Sequence, residues 1–158
     1  MIQAETHAGL DLAGVQALAH RWADDWSQAL PDGDSLLIGL WGEMGAGKTS
    51  FVKSFVGALP GGDSDEVSSP TFALVHDYPS RPPVTHLDLY RLRGETEVED
   101  IGGPELFEQP GFVFVEWPER GQAWLPGERL DLHISIEGTR RKLHLDPKIQ
   151  HPKPADPT

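Results

Sequence analysis

The stretch Ser35-Leu36-Leu37-Ile38-Gly39-Leu40-Trp41-Gly42-Glu43-Met44-Gly45-Ala46-Gly47-Lys48-Thr49 decides the fold. Ser35–Trp41 is a continuous apolar run, the signature of a strand buried on both faces. Gly42–Thr49 matches G-x-x-x-x-G-K-[ST] in full. Beyond it, Thr49–Leu59 carries Phe51, Val52, Phe55 and Val56 at helical spacing, and Pro60-Gly61-Gly62 ends that helix. The order strand, glycine loop, helix is the context that separates a phosphate cradle from a plain glycine turn with an exposed lysine. Glycines let the backbone wrap closely enough for successive N–H groups to face phosphate oxygens. The following helix adds its N-terminal partial positive charge. In this arrangement Lys48 reaches the β and γ phosphates, and the Thr49 hydroxyl ligates magnesium.

Outward from this unit, Leu12, Val15, Leu18, Ala19, Trp22 and Trp26 predict an amphipathic helix over Leu12–Leu30, closed by Pro31-Asp32-Gly33-Asp34. On the other side, Asp63–Pro70 reads as a polar, acidic loop. Thr71–Tyr78 and Val84–Tyr90 read as two strands joined by the proline-rich turn Pro79–Pro83. Glu95–Glu108 is weakly helical and interrupted by Gly102-Gly103-Pro104, and Phe112–Glu116 is a short buried strand ending in an acid. Arg129–Ile136 and Arg140–Leu145 alternate around Glu137-Gly138-Thr139, as a β-hairpin does. The expected architecture is α/β of the P-loop NTPase type, a mainly parallel sheet flanked by helices with a C-terminal hairpin. One domain covers 1–146, and the proline-rich tail 147–158 is expected to be disordered.

Bulk composition narrows the function. The 158 residues are ordinary for a single domain, and 25 acids against 13 bases leave a formal charge of −12. Such a surface repels a nucleic-acid backbone, because that affinity depends on lysine and arginine displacing counterions. The longest basic run is only Arg140-Arg141-Lys142. Direct, tight binding of RNA or DNA by this chain alone is therefore not expected, although acidic proteins can serve nucleic-acid pathways through a protein partner. With no cysteine, disulfides, thiolate metal sites and cysteine nucleophiles are excluded. Met1–His20 carries no basic leader, and no apolar run approaches the roughly 20 residues of a membrane span. A cytoplasmic protein without membrane association is expected, as a monomer or weak homo-oligomer.

Hydrolysis of a bound triphosphate needs an acid near the metal and a group that orients water. Asp88 and Glu116 each end an apolar strand, and in a parallel sheet both ends can lie beside the phosphate loop. From spacing alone, each is equally readable as a solvated strand-end acid. Thr71, after Ser68-Ser69-Pro70, is either a turn residue or a switch-type contact. His76 and His86 read as core or surface histidines, since with Asp88 they match no familiar ligand spacing. Arg91 and Arg93 read as solvated.

Taken together, these residues resemble the TsaE (YjeE) family of ATPases of bacterial tRNA threonylcarbamoyladenosine synthesis. The resemblance rests on Gly42–Thr49, Ser69-Pro70-Thr71-Phe72-Ala73-Leu74-Val75, His86-Leu87-Asp88-Leu89-Tyr90-Arg91-Leu92 and Val115-Glu116-Trp117, in that order. It implies ATP and Mg2+ as ligands, with Thr49 and Glu116 holding the metal. Glu43, Met44, Gly45, Ala46, Gly47, Lys48, Thr49 and Ser50 would surround the phosphates. Lys48, Asp88 and Glu116 would carry hydrolysis, Thr71 would lie in a switch-like loop, and Trp117 would pack near the nucleotide. Arg140 would match a family arginine near the nucleotide, and Thr6 is the only threonine near the first helix. The resemblance also implies work with the TsaD–TsaB complex, through which tRNA is reached only indirectly.

Three other functions fit a phosphate loop less well. A small-molecule kinase usually has an arginine-rich lid, for which the basic residues here are too sparse. A GTPase generally selects guanine with an Asn-Lys-x-Asp element, and this chain contains no asparagine. A nucleotide-gated interaction protein would keep Gly42–Thr49 but need no catalytic acid.

Overall fold

The computed structural model describes residues 2–66, 75–93 and 96–148. In chain order the elements are β1 (Glu5–Leu10), α1 (Leu12–Ala29), β2 (Ser35–Trp41), α2 (Lys48–Gly57), β3 (Val75–Tyr78) and β4 (Val84–Asp88). They continue with α3 (Thr96–Asp100), α4 (Pro104–Phe107), β5 (Gly111–Glu116), β6 (Arg129–Glu137) and β7 (Arg140–Lys148). Short 3-10 turns occupy Ser64–Glu66 and Pro118–Trp124. The strands form one seven-stranded sheet in the order β1-β7-β6-β2-β5-β4-β3. Its centre is parallel, β2 pairing with both β5 and β6, and β4 with β5. Both margins are antiparallel. This is the expected α/β sheet of the P-loop type.

Period-two alternation sends β5 into two cores at once. Phe112 and Phe114 face a layer built by α1 and α2, where Trp22 stacks on Trp26 at 5.3 Å and Phe55 meets Phe114 edge-on at 4.9 Å. Val113 and Val115 face the other layer, with Leu37, Leu87, Val98 and Phe107. Burial on both sides explains why β2 and β5 read as unbroken apolar runs. α1 begins where the Asp11 side chain accepts from the Gly14 N–H at 2.8 Å, and it stops before Pro31.

Several elements differ from the sequence expectations. β1 has no counterpart among them: Glu5-Thr6-His7 pairs antiparallel with Leu143–Leu145 of β7, and a bulge with Gly9 at φ 65° follows. The strand expected to reach Tyr90 ends at Asp88, because the Asp88 carboxylate accepts the Tyr90 N–H at 2.9 Å and turns the chain. Glu95–Glu108 divides into α3 and α4 at Gly102 and Gly103, both at positive φ. β7 runs to Lys148, past Leu145, with Arg129 and Lys148 in register. Of the expected Thr71–Tyr78 strand, Val75–Tyr78 is β3. Thr71, the rest of that segment, and residues 149–158 of the expected tail lie outside the described residues.

Candidate functional site

The site forms where β2, β5 and β4 end. Between β2 and α2 the backbone turns through Gly45 and Gly47, at φ 83° and 106°. A side chain is rare in that region of φ/ψ space, which is why glycine stands there. At Gly42 the constraint is contact: a Cβ would lie 2.6 Å from the Ile134 carbonyl oxygen. The Ala46 N–H closes onto the Glu43 carbonyl at 3.1 Å, and the Phe51 N–H onto Gly47 at 2.9 Å starts α2. No side chain caps α2 at its start, leaving its first N–H groups directed into the turn.

Arg141 fixes the opposite side of this loop. Its Nε donates to the Ala46 carbonyl at 2.9 Å and its Nη2 to the Gly45 carbonyl at 3.4 Å. Those two bonds tie the backbone of the loop at Gly45 and Ala46 to β7. Neighbouring Arg140 points elsewhere and donates from Nη1 to the Gly9 carbonyl at 3.1 Å. Glu43, Met44 and Ser50 are exposed along the rim.

Lys48 is buried, with Nζ donating to the Gly42 carbonyl at 2.7 Å and lying 3.7 Å from the centroid of the Trp117 ring. Burial pulls its pKa down, against the opposing charges of Glu116, Glu119 and Asp88. Trp117 has φ 58°, the positive-φ exception among the described non-glycine residues. That conformation holds its ring between Lys48 and Tyr90, whose ring centroid is 5.0 Å away.

The Thr49 hydroxyl donates to Glu116 at 3.1 Å from Oε2 and 3.3 Å from Oε1. His86 Nε2 lies 2.6 Å from Glu116 Oε2. Asp88 is the register partner of Glu116 on the adjacent parallel strand, and both carboxylates are buried. Burial pushes the Asp88 carboxyl above the usual aspartate range; the Tyr90 N–H opposes this and the Glu116 charge adds to it. Lys48, Thr49, Asp88, Glu116 and Trp117 thus converge on one end of the sheet.

The remaining candidates have other surroundings. Thr6 sits on β1 with its Oγ1 2.7 Å from His144 Nδ1. His76 is the cross-strand partner of His86, but its Nδ1 faces the Tyr78 hydroxyl at 3.2 Å. Arg91 and Arg93 are exposed. Among the described residues no group of three His, Asp or Glu side chains is arranged to hold a metal unaided. The Thr49 hydroxyl and Glu116 carboxylate are hard oxygen donors of the kind magnesium takes alongside substrate phosphates.

Sequence reasoning missed Arg141 and the bond from His86 to Glu116. A signal for the second existed. His86 and Asp88 are two apart on one strand, so they share a face, and whatever Asp88 approaches, His86 lies beneath.

Among the described residues, no helix is long and apolar enough to cross a membrane. The sequence profile described as "Threonylcarbamoyl adenosine biosynthesis protein TsaE" matches residues 12–143. A Bacillus subtilis protein named tRNA threonylcarbamoyladenosine biosynthesis protein TsaE is 40% identical over 103 residues, 65% of this chain and 63% of that protein. The chain thus spans less than two thirds of the length of that relative. A Treponema pallidum protein of the same name is 35% identical over 122 residues, 76% of this chain and 87% of its own length. The crystal structure of Bacillus subtilis YdiB superposes with a TM-score of 0.67 at 25% identity, covering 94% of this chain and 88% of that one. With profile, sequences and fold in agreement over most of its length, the chain belongs to the TsaE family.

Proposed function

We propose that this protein binds ATP with Mg2+ at Gly42–Thr49 and hydrolyses it to ADP and inorganic phosphate. This turnover serves tRNA threonylcarbamoyladenosine biosynthesis in the cytoplasm, in company with a TsaD–TsaB complex. The observation that carries the reading is the convergence of Lys48, Thr49, Asp88 and Glu116 on one sheet end, beside a glycine loop whose carbonyls Arg141 ties back.

Each residue has a part that follows from its surroundings. Loop amides and the start of α2 bind the phosphate oxygens. Lys48 swings from the Gly42 carbonyl to the β and γ phosphates, where its positive charge opposes the charge that builds in the transition state. Thr49 and Glu116 would hold magnesium, which would supply positive charge against the phosphate groups. Asp88, raised in pKa and next to Glu116, orients the attacking water and accepts its proton. Trp117 covers the Lys48 side of the site and limits water entry. Arg140 and Arg141 are both engaged with backbone carbonyls, at Gly9 and at Ala46, so slow turnover in isolation is expected. With a charge of −12, contact with tRNA is expected to be indirect.

The test is phosphate release from ATP with and without purified TsaD–TsaB. Slow release that rises severalfold with the complex supports the proposal. Fast release without partners, or label on another metabolite instead of free phosphate, contradicts it.

A further inference from the structure

His86 is fully buried, in register with Phe114 on one side and His76 on the other. Burying an imidazole costs free energy unless its nitrogens find partners. Only one does: Nε2 lies 2.6 Å from Glu116 Oε2, and Nδ1 has no hydrogen-bond partner among the described residues. An orphaned buried N–H is rarer than an under-satisfied acceptor, so the hydrogen goes to the nitrogen that faces an acceptor oxygen. The hydrogen therefore belongs on Nε2, which donates to the carboxylate. Glu116 also accepts the Thr49 hydroxyl, which is consistent with its being the acceptor in both bonds.

We propose that His86 is a positioning residue: its Nε2–H pins Oε2 of Glu116 so that the carboxylate is aimed, with the Thr49 hydroxyl, at the magnesium that accompanies the nucleotide. A glutamate at a strand end has three side-chain torsions to choose, and two partners on different elements leave it one arrangement. Carboxylates that ligate metals are commonly held by such a hydrogen bond, and its loss typically costs about 10–100-fold in metal affinity. His86 touches neither substrate nor metal in this account. It rests on the reading that Thr49 and Glu116 hold magnesium.

The experiment measures affinity for a non-hydrolysable ATP analogue, with magnesium and with EDTA, in the full chain and in His86→Phe and His86→Gln. Phenylalanine keeps the ring shape but has no donor, and the glutamine amide nitrogen can replace Nε2. The gain in affinity from magnesium should fall about tenfold or more in His86→Phe and be restored in large part in His86→Gln. An unchanged gain in a folded His86→Phe overturns the inference. So does an equal loss with magnesium and with EDTA, which marks a structural role only. A wild-type protein without any magnesium gain would refute the magnesium site itself, so the two failures are distinguishable. Should both variants fail to fold, 15N imidazole signals of the wild-type protein decide. A protonated Nε2 that shifts with analogue plus magnesium, but not with analogue in EDTA, supports the proposal. A protonated Nδ1, or no magnesium-specific shift, overturns it.

Discussion

The Thr49 hydroxyl lies 3.1 Å from a carboxylate oxygen of Glu116, a residue 67 positions further along the chain. The contact joins the first turn of α2 to the end of β5 and depends on two strand registers. Leu40 pairs with Glu116, which aligns the end of β2 and hence the loop, and Asp88 pairs with Glu116, which brings the second acid alongside. One sheet end therefore presents a hydroxyl and two carboxylates together, with the Lys48 charge acting on both acids. The site is a product of parallel pairing more than of any local motif.

Asp88→Asn should separate function from stability. Proposed hydrolysis should fall at least about a hundredfold, the usual scale for losing a positioned base. The fold should nevertheless become more stable at pH 7. The Asp88 pKa is raised by burial, so its contribution favours folding below the ordinary aspartate range and is lost as pH rises through the folded value. The stability advantage of the asparagine variant should therefore shrink on acidification. Thermal melts across pH, with turnover on the same samples, check both halves.

At Gly42, the close approach to Ile134 gives a packing prediction. A methyl group added there would sit 2.6 Å from the Ile134 carbonyl oxygen, a backbone atom with little room to yield. Gly42→Ala should cost about 1–3 kcal/mol, as overpacking does, and weaken nucleotide binding through a displaced loop. Urea denaturation measures the first effect and calorimetry the second.

Arg141 and Arg140 are adjacent yet should behave differently. Only Arg141 holds the Ala46 and Gly45 carbonyls, whereas Arg140 reaches Gly9. Arg141→Ala should weaken nucleotide binding about tenfold, near 1.4 kcal/mol, and Arg140→Ala should leave it nearly unchanged. Equal losses would show that their shared positive charge matters more than the loop tether.

Glu5 fastens β1 to α1 by accepting the Trp22 indole N–H at 2.8 Å and by pairing with Arg21. Burial acts to raise its pKa, but Trp22, His7 and Arg21 outweigh it and the net shift is downward. Its contribution to stability is thus present above the ordinary glutamate range and lost as pH falls below it. Glu5→Ala should cost about 1 kcal/mol at pH 7, and denaturation curves of variant and wild type should converge in acid.

Much of this was legible in the amino-acid order, for reasons that differ by element. β2 and β5 announce themselves because burial on both faces leaves uninterrupted apolar runs, and α1 because its buried face repeats at helical spacing. β1 was hidden: its residues Glu5, Thr6 and His7 are polar, and they are satisfied by Trp22 and by the distant His144. The spacing of Asp88 and Glu116 left them indistinguishable from solvated acids, since only parallel register brings them together. By sequence, His86 reads as a core or surface histidine. It is buried, but its role beside Glu116 depends on a cross-strand neighbour that no local pattern records. The hairpin arginines show how alternation works against sequence matching, because a slip of one residue moves a side chain to the opposite face. That is how the loop contact falls to Arg141 and not to Arg140.

The most direct measurement is calorimetric titration of ATP into the folded protein in magnesium buffer, repeated with Lys48→Ala. The account predicts one-to-one binding to the wild type and none to the variant, whose circular dichroism should remain that of the native fold. Absence of binding to the wild type, or equal affinity in Lys48→Ala, would contradict the assignment of Gly42–Thr49 as the nucleotide site.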